Sequence, residues 1–171
     1  VKMITNYKNI NLKNKKVLVT GADGFIGSHL VEALLREGSD IRAMAMYNSF
    51  NSWGWLDHLD TKTLKNIEVY PGDMRDRKSV ENACKGIDVV FHLASLIAIP
   101  QSYYSPYAYL ETNATGALNL LESCLDSKVE KIIHTSTSEV YGEYDSVPIS
   151  ESNKNIARSP YSATKIAADQ L

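Results

Sequence analysis

The chain has 171 residues, 44% hydrophobic and 22% charged, which is enough for one domain with a buried core and typical of a globular protein. Its 18 lysines and arginines against 20 acidic residues give a net charge of -2, with only Lys13, Lys15 and Lys16 clustered; this excludes the electrostatic footprint of nucleic-acid or acidic-membrane binding. No apolar run reaches the length of a signal-peptide core or a membrane span, so a cytoplasmic location is expected, and the isolated Cys84 and Cys124 read as reduced packing residues with no metal site.

Residues 1–14 are rich in Asn and Lys and read as a polar tail. The β-branched run Val17–Thr20 then predicts a buried strand. Ile26, Leu30, Ala33 and Leu34 repeat at helical spacing and predict an amphipathic helix closing near Gly38. Ile41–Met46 and Ile67–Tyr70 are the second and third strands. Val80, Ala83, Cys84 and Ile87 mark one helical face, and Val89–Leu93 is the fourth strand. Leu110, Ala114, Ala117, Leu118, Leu121 and Leu125 fall on one stripe of a long helix. Lys131–His134 leads a fifth strand towards Thr137, and a last helix begins near Ser159 and Pro160.

Strands alternating with helices imply an α/β fold, a doubly wound parallel sheet covered on both faces. The expected strand order is 3-2-1-4-5, with a ligand crevice beyond the strand carboxyl ends. Residues 15–171 therefore read as a Rossmann-like domain. The chain ends six residues past Lys165, inside a helix with no stop signal, which predicts a domain truncated before its substrate-binding region.

Gly21-Ala-Asp-Gly24-Phe-Ile-Gly27 directly follows the first strand and opens the first helix. That context makes it a dinucleotide fingerprint with altered spacing. Gly21 permits the turn, Gly24 lets the backbone approach a pyrophosphate, and Gly27 permits close helix–strand packing. The first-turn N–H groups around Phe25 and Ile26 then face the phosphates. An acidic residue usually holds the adenosine ribose at the tip of the second strand, but Tyr47-Asn48-Ser49 stand there. Asn48 could bond a ribose hydroxyl. NAD is preferred because no arginine directly follows the strand, with NADP left open. Asp73 can accept from an adenine amine or simply form a turn.

Tyr161 and Lys165 share one helical face at i, i+4. A tyrosine is a poor base near neutral pH, but an adjacent ammonium and an oxidised nicotinamide favour its phenolate. Thr137, at the end of the fifth strand, can place its hydroxyl on the same substrate oxygen.

From about residue 16 onward the chain resembles the extended short-chain dehydrogenase/reductases, the sugar-nucleotide epimerases and dehydratases. The shared segments are the glycine turn, Gly72-Asp73-Met74-Arg75-Asp76, His92-Leu93-Ala94-Ser95, Asn113-Ala114-Thr115-Gly116 and the Thr137, Tyr161, Lys165 trio. The resemblance implies that Asp73 and Met74 sit at the adenine and that Leu93, Ala94, Ser95, Tyr161 and Lys165 line the cofactor. It implies that Asn113 braces the strand end. It also implies a homodimer formed through the helices starting near Tyr107 and Ser159.

Thr137-Ser138-Glu139 separates subfamilies. Many 4,6-dehydratases show Thr-Asp-Glu here and 4-epimerases usually lack the glutamate, whereas serine is found in dehydratases of GDP-mannose and in UDP-glucuronate decarboxylases. The segment from Tyr47 to Asp57, with Leu96–Pro100 and His134–Gly142, is similar to the amino-sugar-nucleotide 4,6-dehydratases of the legionaminic-acid pathway. The expectation is a 4,6-dehydratase of UDP- or GDP-N-acetylglucosamine, with Thr137, Ser138, Glu139, Tyr161 and Lys165 catalytic. Decarboxylase and 4-epimerase activities stay open, as does a non-catalytic NAD-binding module. The two tryptophans of the Tyr47–Asp57 segment read first as loop packing, with an aromatic wall beside the adenosine as the alternative.

Overall fold

The computed structural model describes residues 11–144 and 147–171. Strands β1 (Lys16–Thr20), β2 (Asp40–Met46), β3 (Ile67–Gly72), β4 (Val89–His92) and β5 (Lys131–His134) form one parallel sheet in the order β3-β2-β1-β4-β5. This is the order expected from the alternation of strands and helices. The order reverses between β1 and β4, which opens a crevice beyond their carboxyl ends.

Side chains of a strand alternate between faces, and β1 is apolar on both. Val17 and Val19 join a core with Val31 and Leu34 of α1 (Phe25–Arg36). Leu18 faces the opposite core, made by Val80, Ala83 and Cys84 of α3 (Arg77–Cys84) and Leu120 and Cys124 of α6 (Gly116–Asp126). Each such fully buried aliphatic side chain stabilises the fold by about 1.5–3 kcal/mol. Local capping sets the helix starts: the Asp76 carboxylate accepts from Lys78 N at 2.9 Å, and Ser159 with Ser162 forms a capping box at α7 (Pro160–Gln170). Asp60 likewise caps α2 (Thr61–Lys65).

The structure corrects several sequence readings. The tail begins to pack before residue 15: Leu12 lies against the first core, and Asn14 N donates to Gly38 O at 2.9 Å. In α1 the buried face is Gly27, Ser28, Val31 and Leu34, while Ile26 is 67% exposed. Two short helices, α4 (Ile99–Tyr104) and α5 (Pro106–Tyr109), carry Pro100 and Pro106 in their first turns, where proline starts a helix instead of breaking it.

The predicted stripe of the long helix holds in part, with Ala114 and Ala117 buried and Leu121 half-buried. Leu110, Leu118 and Leu125 are exposed, and Asn113, Ala114, Ala117, Leu120 and Cys124 are buried. A π-helical turn at Leu110–Thr115 separates α5 from α6. Its wider i→i+5 step shifts the inward face relative to a regular 3.6-residue repeat. Cys84 and Cys124, distant in sequence, lie with their Sγ atoms 3.9 Å apart in the second core, both free thiols.

Candidate active site

The carboxyl ends of the strands surround a cleft of about 950 Å³. One end is the glycine turn and the other is the start of α7. Gly21 has φ +68, and a Cβ there would lie 2.8 Å from Ala94 N on the neighbouring β4 end. A Cβ on Gly27 would meet Gly21 O at 2.2 Å. These two glycines let α1 sit hard against β1. Gly24 differs: a Cβ would touch only Gly21 O, at 3.3 Å, so its bare α-carbon keeps a wall of the cleft open. Among the described residues, the N–H groups of Phe25, Ile26 and Gly27 have no partner, as expected of an uncapped first helical turn. Three convergent donors at a helix N-terminus suit an anionic pyrophosphate, so the turn fits a dinucleotide.

Gly21, Gly24, Phe25, Ile26, Gly27, Asp73, Met74, Leu93, Ala94 and Ser95 all line the cleft. Asn48 does not. Its amide donates to Ser52 O at 2.8 Å and its oxygen accepts from Phe50 N at 2.9 Å, so in this structure it closes its own loop. Asp23 is the acid that the sequence reading passed over. Its Oδ2 accepts from Met46 N and its carbonyl from Trp55 N, tying the glycine turn to the tip of β2. An acid inside the turn itself was the available signal.

The two tryptophans pack the loop. Trp53 lies against the first core, and Trp55 meets the Phe25 ring edge-on at 5.0 Å.

Asp73 lines the cleft and also organises its turn. Its carboxylate accepts from Arg75 N at 2.9 Å and from the Arg75 guanidinium at 2.6 Å. The guanidinium bond holds the Asp73 carboxyl below the usual carboxylate range. Asn119 donates to Met74 O at 2.9 Å, and a Cβ on Gly116 would lie 2.9 Å from Met74 Cβ. Met74 is thus fixed from α6. Asn113 braces the β4 end: its oxygen accepts from Leu96 N at 2.8 Å and Ser95 Oγ at 3.0 Å, while its amide donates to Thr164 Oγ1 of α7 at 3.1 Å.

At the other end of the cleft, Thr137, Glu139, Tyr161 and Lys165 line one cavity. Ser138, adjacent in sequence, does not line it; it opens the 3-10 turn Ser138–Tyr141. Thr137 Oγ1 accepts from Glu139 N at 3.3 Å. That bond occupies a lone pair and leaves the hydroxyl proton available to a substrate oxygen. Tyr161 is 7% exposed and packs edge-on to Tyr109. Lys165 is 4% exposed and donates to Thr135 O at 2.7 Å. Burial pushes its ammonium below the ordinary lysine range, and Asp169 partly restores it. Among the described residues no cluster of His, Cys, Asp or Glu could hold a metal, and no helix is long and apolar enough to cross a membrane.

This arrangement has known counterparts. A UDP-glucose 4-epimerase from Halalkalibacterium halodurans is 34% identical over 160 residues, covering 91% of this chain and 44% of that protein. A solved UDP-N-acetylglucosamine 4-epimerase from Methanobrevibacter ruminantium, in complex with UDP-N-acetylmuramic acid, superposes with a TM-score of 0.81 at 34% identity, covering 92% of this chain and 49% of that one. The dTDP-glucose 4,6-dehydratase DesIV of Streptomyces venezuelae, solved with NAD bound, gives a TM-score of 0.76 at 30% identity over 91% of this chain and 49% of that one. The chain spans about half the length of these relatives. The family described as GDP-mannose 4,6 dehydratase matches residues 18–171, and with the glycine turn and the Thr137, Tyr161, Lys165 cleft in place, the chain belongs to that family of sugar-nucleotide epimerases and dehydratases.

Proposed function

We propose that this chain is the cofactor-binding part of an NAD-dependent 4,6-dehydratase acting on UDP- or GDP-linked N-acetylglucosamine and giving the 6-deoxy-4-keto sugar. The observation that carries it is the carboxylate of Glu139 in the same cavity as Thr137, Tyr161 and Lys165. A simple redox or epimerising site needs no second base. The likeness of the Tyr47–Asp57 and His134–Gly142 segments to amino-sugar-nucleotide dehydratases supports the sugar. The solved N-acetylglucosamine-nucleotide epimerase relative agrees with it.

When bound, NAD supplies the acceptor for the hydride leaving sugar C4 and the donor of the hydride entering C6. Tyr161 takes the C4 hydroxyl proton, helped by the Lys165 ammonium, and Thr137 holds that oxygen by its free O–H. The resulting ketone acidifies the C5 proton, because the carbanion formed delocalises onto oxygen. Glu139 removes that proton and returns it to the departing C6 hydroxyl, which leaves as water. Once C6 has gained its hydride, Glu139, reprotonated from solvent, gives a proton back to C5, and Tyr161 releases the proton it took from the C4 hydroxyl to solvent. With Ser138 outside the cavity, Glu139 serves as both base and acid. The free first-turn N–H groups hold the pyrophosphate, and the Tyr47-Asn48-Ser49 tip, without an arginine for a 2′-phosphate, favours NAD over NADP. In this reading the full-length protein is a cytoplasmic homodimer, and the exposed Tyr103, Tyr104 and Tyr107 border the helices that pair.

A 4-epimerase is the second reading, favoured by the relatives of that name. Product mass separates the two. With the full-length protein and each nucleotide-linked N-acetylglucosamine, the dehydratase gives a product lighter by one water. A product of unchanged mass overturns it in favour of epimerisation, and loss of carbon dioxide from a glucuronate substrate favours the decarboxylase.

A further inference from the structure

Tyr161, Lys165 and Asp169 follow at i, i+4 and i+8 and form one stripe of α7. The lower part of that stripe faces the end of β5. Asp169 Oδ1 lies 3.1 Å from His134 Nε2, and Asp169 Oδ2 accepts from Ser136 Oγ at 2.5 Å. The same His134 nitrogen is 3.5 Å from Lys165 Nζ. None of these contacts joins the residues assigned to the cofactor or the sugar, except through Lys165.

The hydrogen-bond directions fix the charges. Thr20 Oγ1 accepts from Leu93 N at 3.2 Å and Ala94 N at 3.1 Å, which uses both lone pairs. Its O–H therefore donates to His92 Nδ1, 2.8 Å away, and His92 is neutral with its proton on Nε2. The His92 ring packs on His134 at 5.2 Å. Burial and the Lys165 ammonium push the His134 imidazole below its ordinary range, against the opposing pull of Asp169, and so favour the neutral ring. One N–H on Nε2 satisfies the Asp169 carboxylate. Asp169 thus accepts from the His134 ring and the Ser136 hydroxyl one helical turn from Lys165.

We propose that Asp169 is a positioning residue for Lys165: held by His134 and Ser136, its carboxylate keeps the buried ammonium charged while Thr135 O fixes its place beside Tyr161. The proposal rests on the redox role given to Lys165 above. The titratable and charged groups facing Lys165 are Tyr161 and Asp169 on its own helix, His134 from β5, His92 from β4 and Glu139 on the cleft wall. Among the described residues, α6 contributes Ala117, Leu120 and Leu121 to the small cavity beside Asp169. Asp169 is therefore the anion that offsets the desolvation of Lys165 from behind, where it neither blocks the cleft nor pairs directly with the ammonium.

The test is competitive acetylation of Lys165 across pH in the full-length protein, read by mass spectrometry as a labelling midpoint. In Asp169→Asn the midpoint falls by about one pH unit, the size expected for losing one nearby opposite charge. Asp169→Glu restores it. The alkaline limb of the pH profile for substrate-driven reduction of bound NAD moves down by the same amount. An unmoved labelling midpoint overturns the proposal and leaves the dehydratase reading standing. A moved midpoint with an unmoved profile overturns the positioning role. Should Asp169→Asn not fold, nitrogen NMR of His134 in the parent decides: a neutral ring protonated on Nε2 at pH 7 supports the proposal, and an imidazolium paired with Asp169 overturns it. The labelling and the NMR need no turnover, so they are independent of which sugar is processed.

Discussion

Two glycines three residues apart should fail in opposite ways. Gly24 has ordinary extended dihedrals, φ -80 and ψ 167, and a Cβ there meets only Gly21 O, at 3.3 Å. Gly24→Val therefore folds, at a cost of about 1 kcal/mol for a poor N-cap residue. Its methyl groups stand where a pyrophosphate must approach the Phe25 and Ile26 N–H groups. Losing one charge-assisted hydrogen bond costs about 1.5–3 kcal/mol, so NAD affinity falls roughly 10- to 100-fold. Gly27→Ala puts its Cβ 2.2 Å from Gly21 O and 2.8 Å from Ala22 Cα, both backbone atoms. Backbone cannot rotate away, so α1 must shift off β1, costing about 3 kcal/mol or more and lowering Tm by several degrees. Titration calorimetry with NAD and thermal unfolding of the same preparations separate the two effects. A folded Gly24→Val protein that binds NAD like its parent, or a Gly27→Ala protein of parental stability, would refute the reasoning.

Tyr161→Phe should retain NAD affinity by calorimetry while turnover drops by about 10²- to 10⁴-fold, since shape survives and the proton acceptor does not; near-normal rates would remove Tyr161 from the chemistry. Thr20→Val leaves Ala94 N and His92 Nδ1 without their partner and should cost about 2–3 kcal/mol in denaturant unfolding, an unchanged midpoint showing that the network carries no load. His92 is 4% exposed, and burial lowers its pKa to about 3. Its folded pKa lies below the unfolded value, so the unfolded chain binds the extra proton. Its contribution is full above pH 6.5 and is lost as pH falls towards 3, at most about 4–5 kcal/mol. His92→Gln should flatten the stability profile over that window, and an equally steep acid loss in the variant would assign the slope elsewhere.

Much of this geometry is legible in the residues themselves. The strands are short runs rich in apolar residues, and in β-branched ones outside β2, bounded by glycine and polar residues, so their positions and the parallel order follow from pattern and handedness. The glycine spacing identifies the turn because its demands are local: backbone must touch backbone. What pattern reading misses is set by distant partners. The phase of α6 depends on a π turn that no periodicity signals. Asn48 stands at the tip of the second strand in the sequence, but its bonds to Ser52 O and Phe50 N follow from the path of its loop. Ser138 has the right chemistry and sits next to two cavity residues, yet only its neighbours Thr137 and Glu139 line the cleft. His134 and Asp169 are 35 residues apart, and only the docking of α7 on the end of β5 brings them to Lys165.

The central claim is that Glu139 turns a redox site into an eliminating one. Full-length Glu139→Gln, given a nucleotide-linked N-acetylglucosamine in deuterated solvent, should still reduce its bound NAD, seen as nicotinamide absorbance. It should then stall, with no deuterium at C5 and no product lighter by one water. Elimination by this variant at the parental rate would contradict the claim and make Glu139 a bystander.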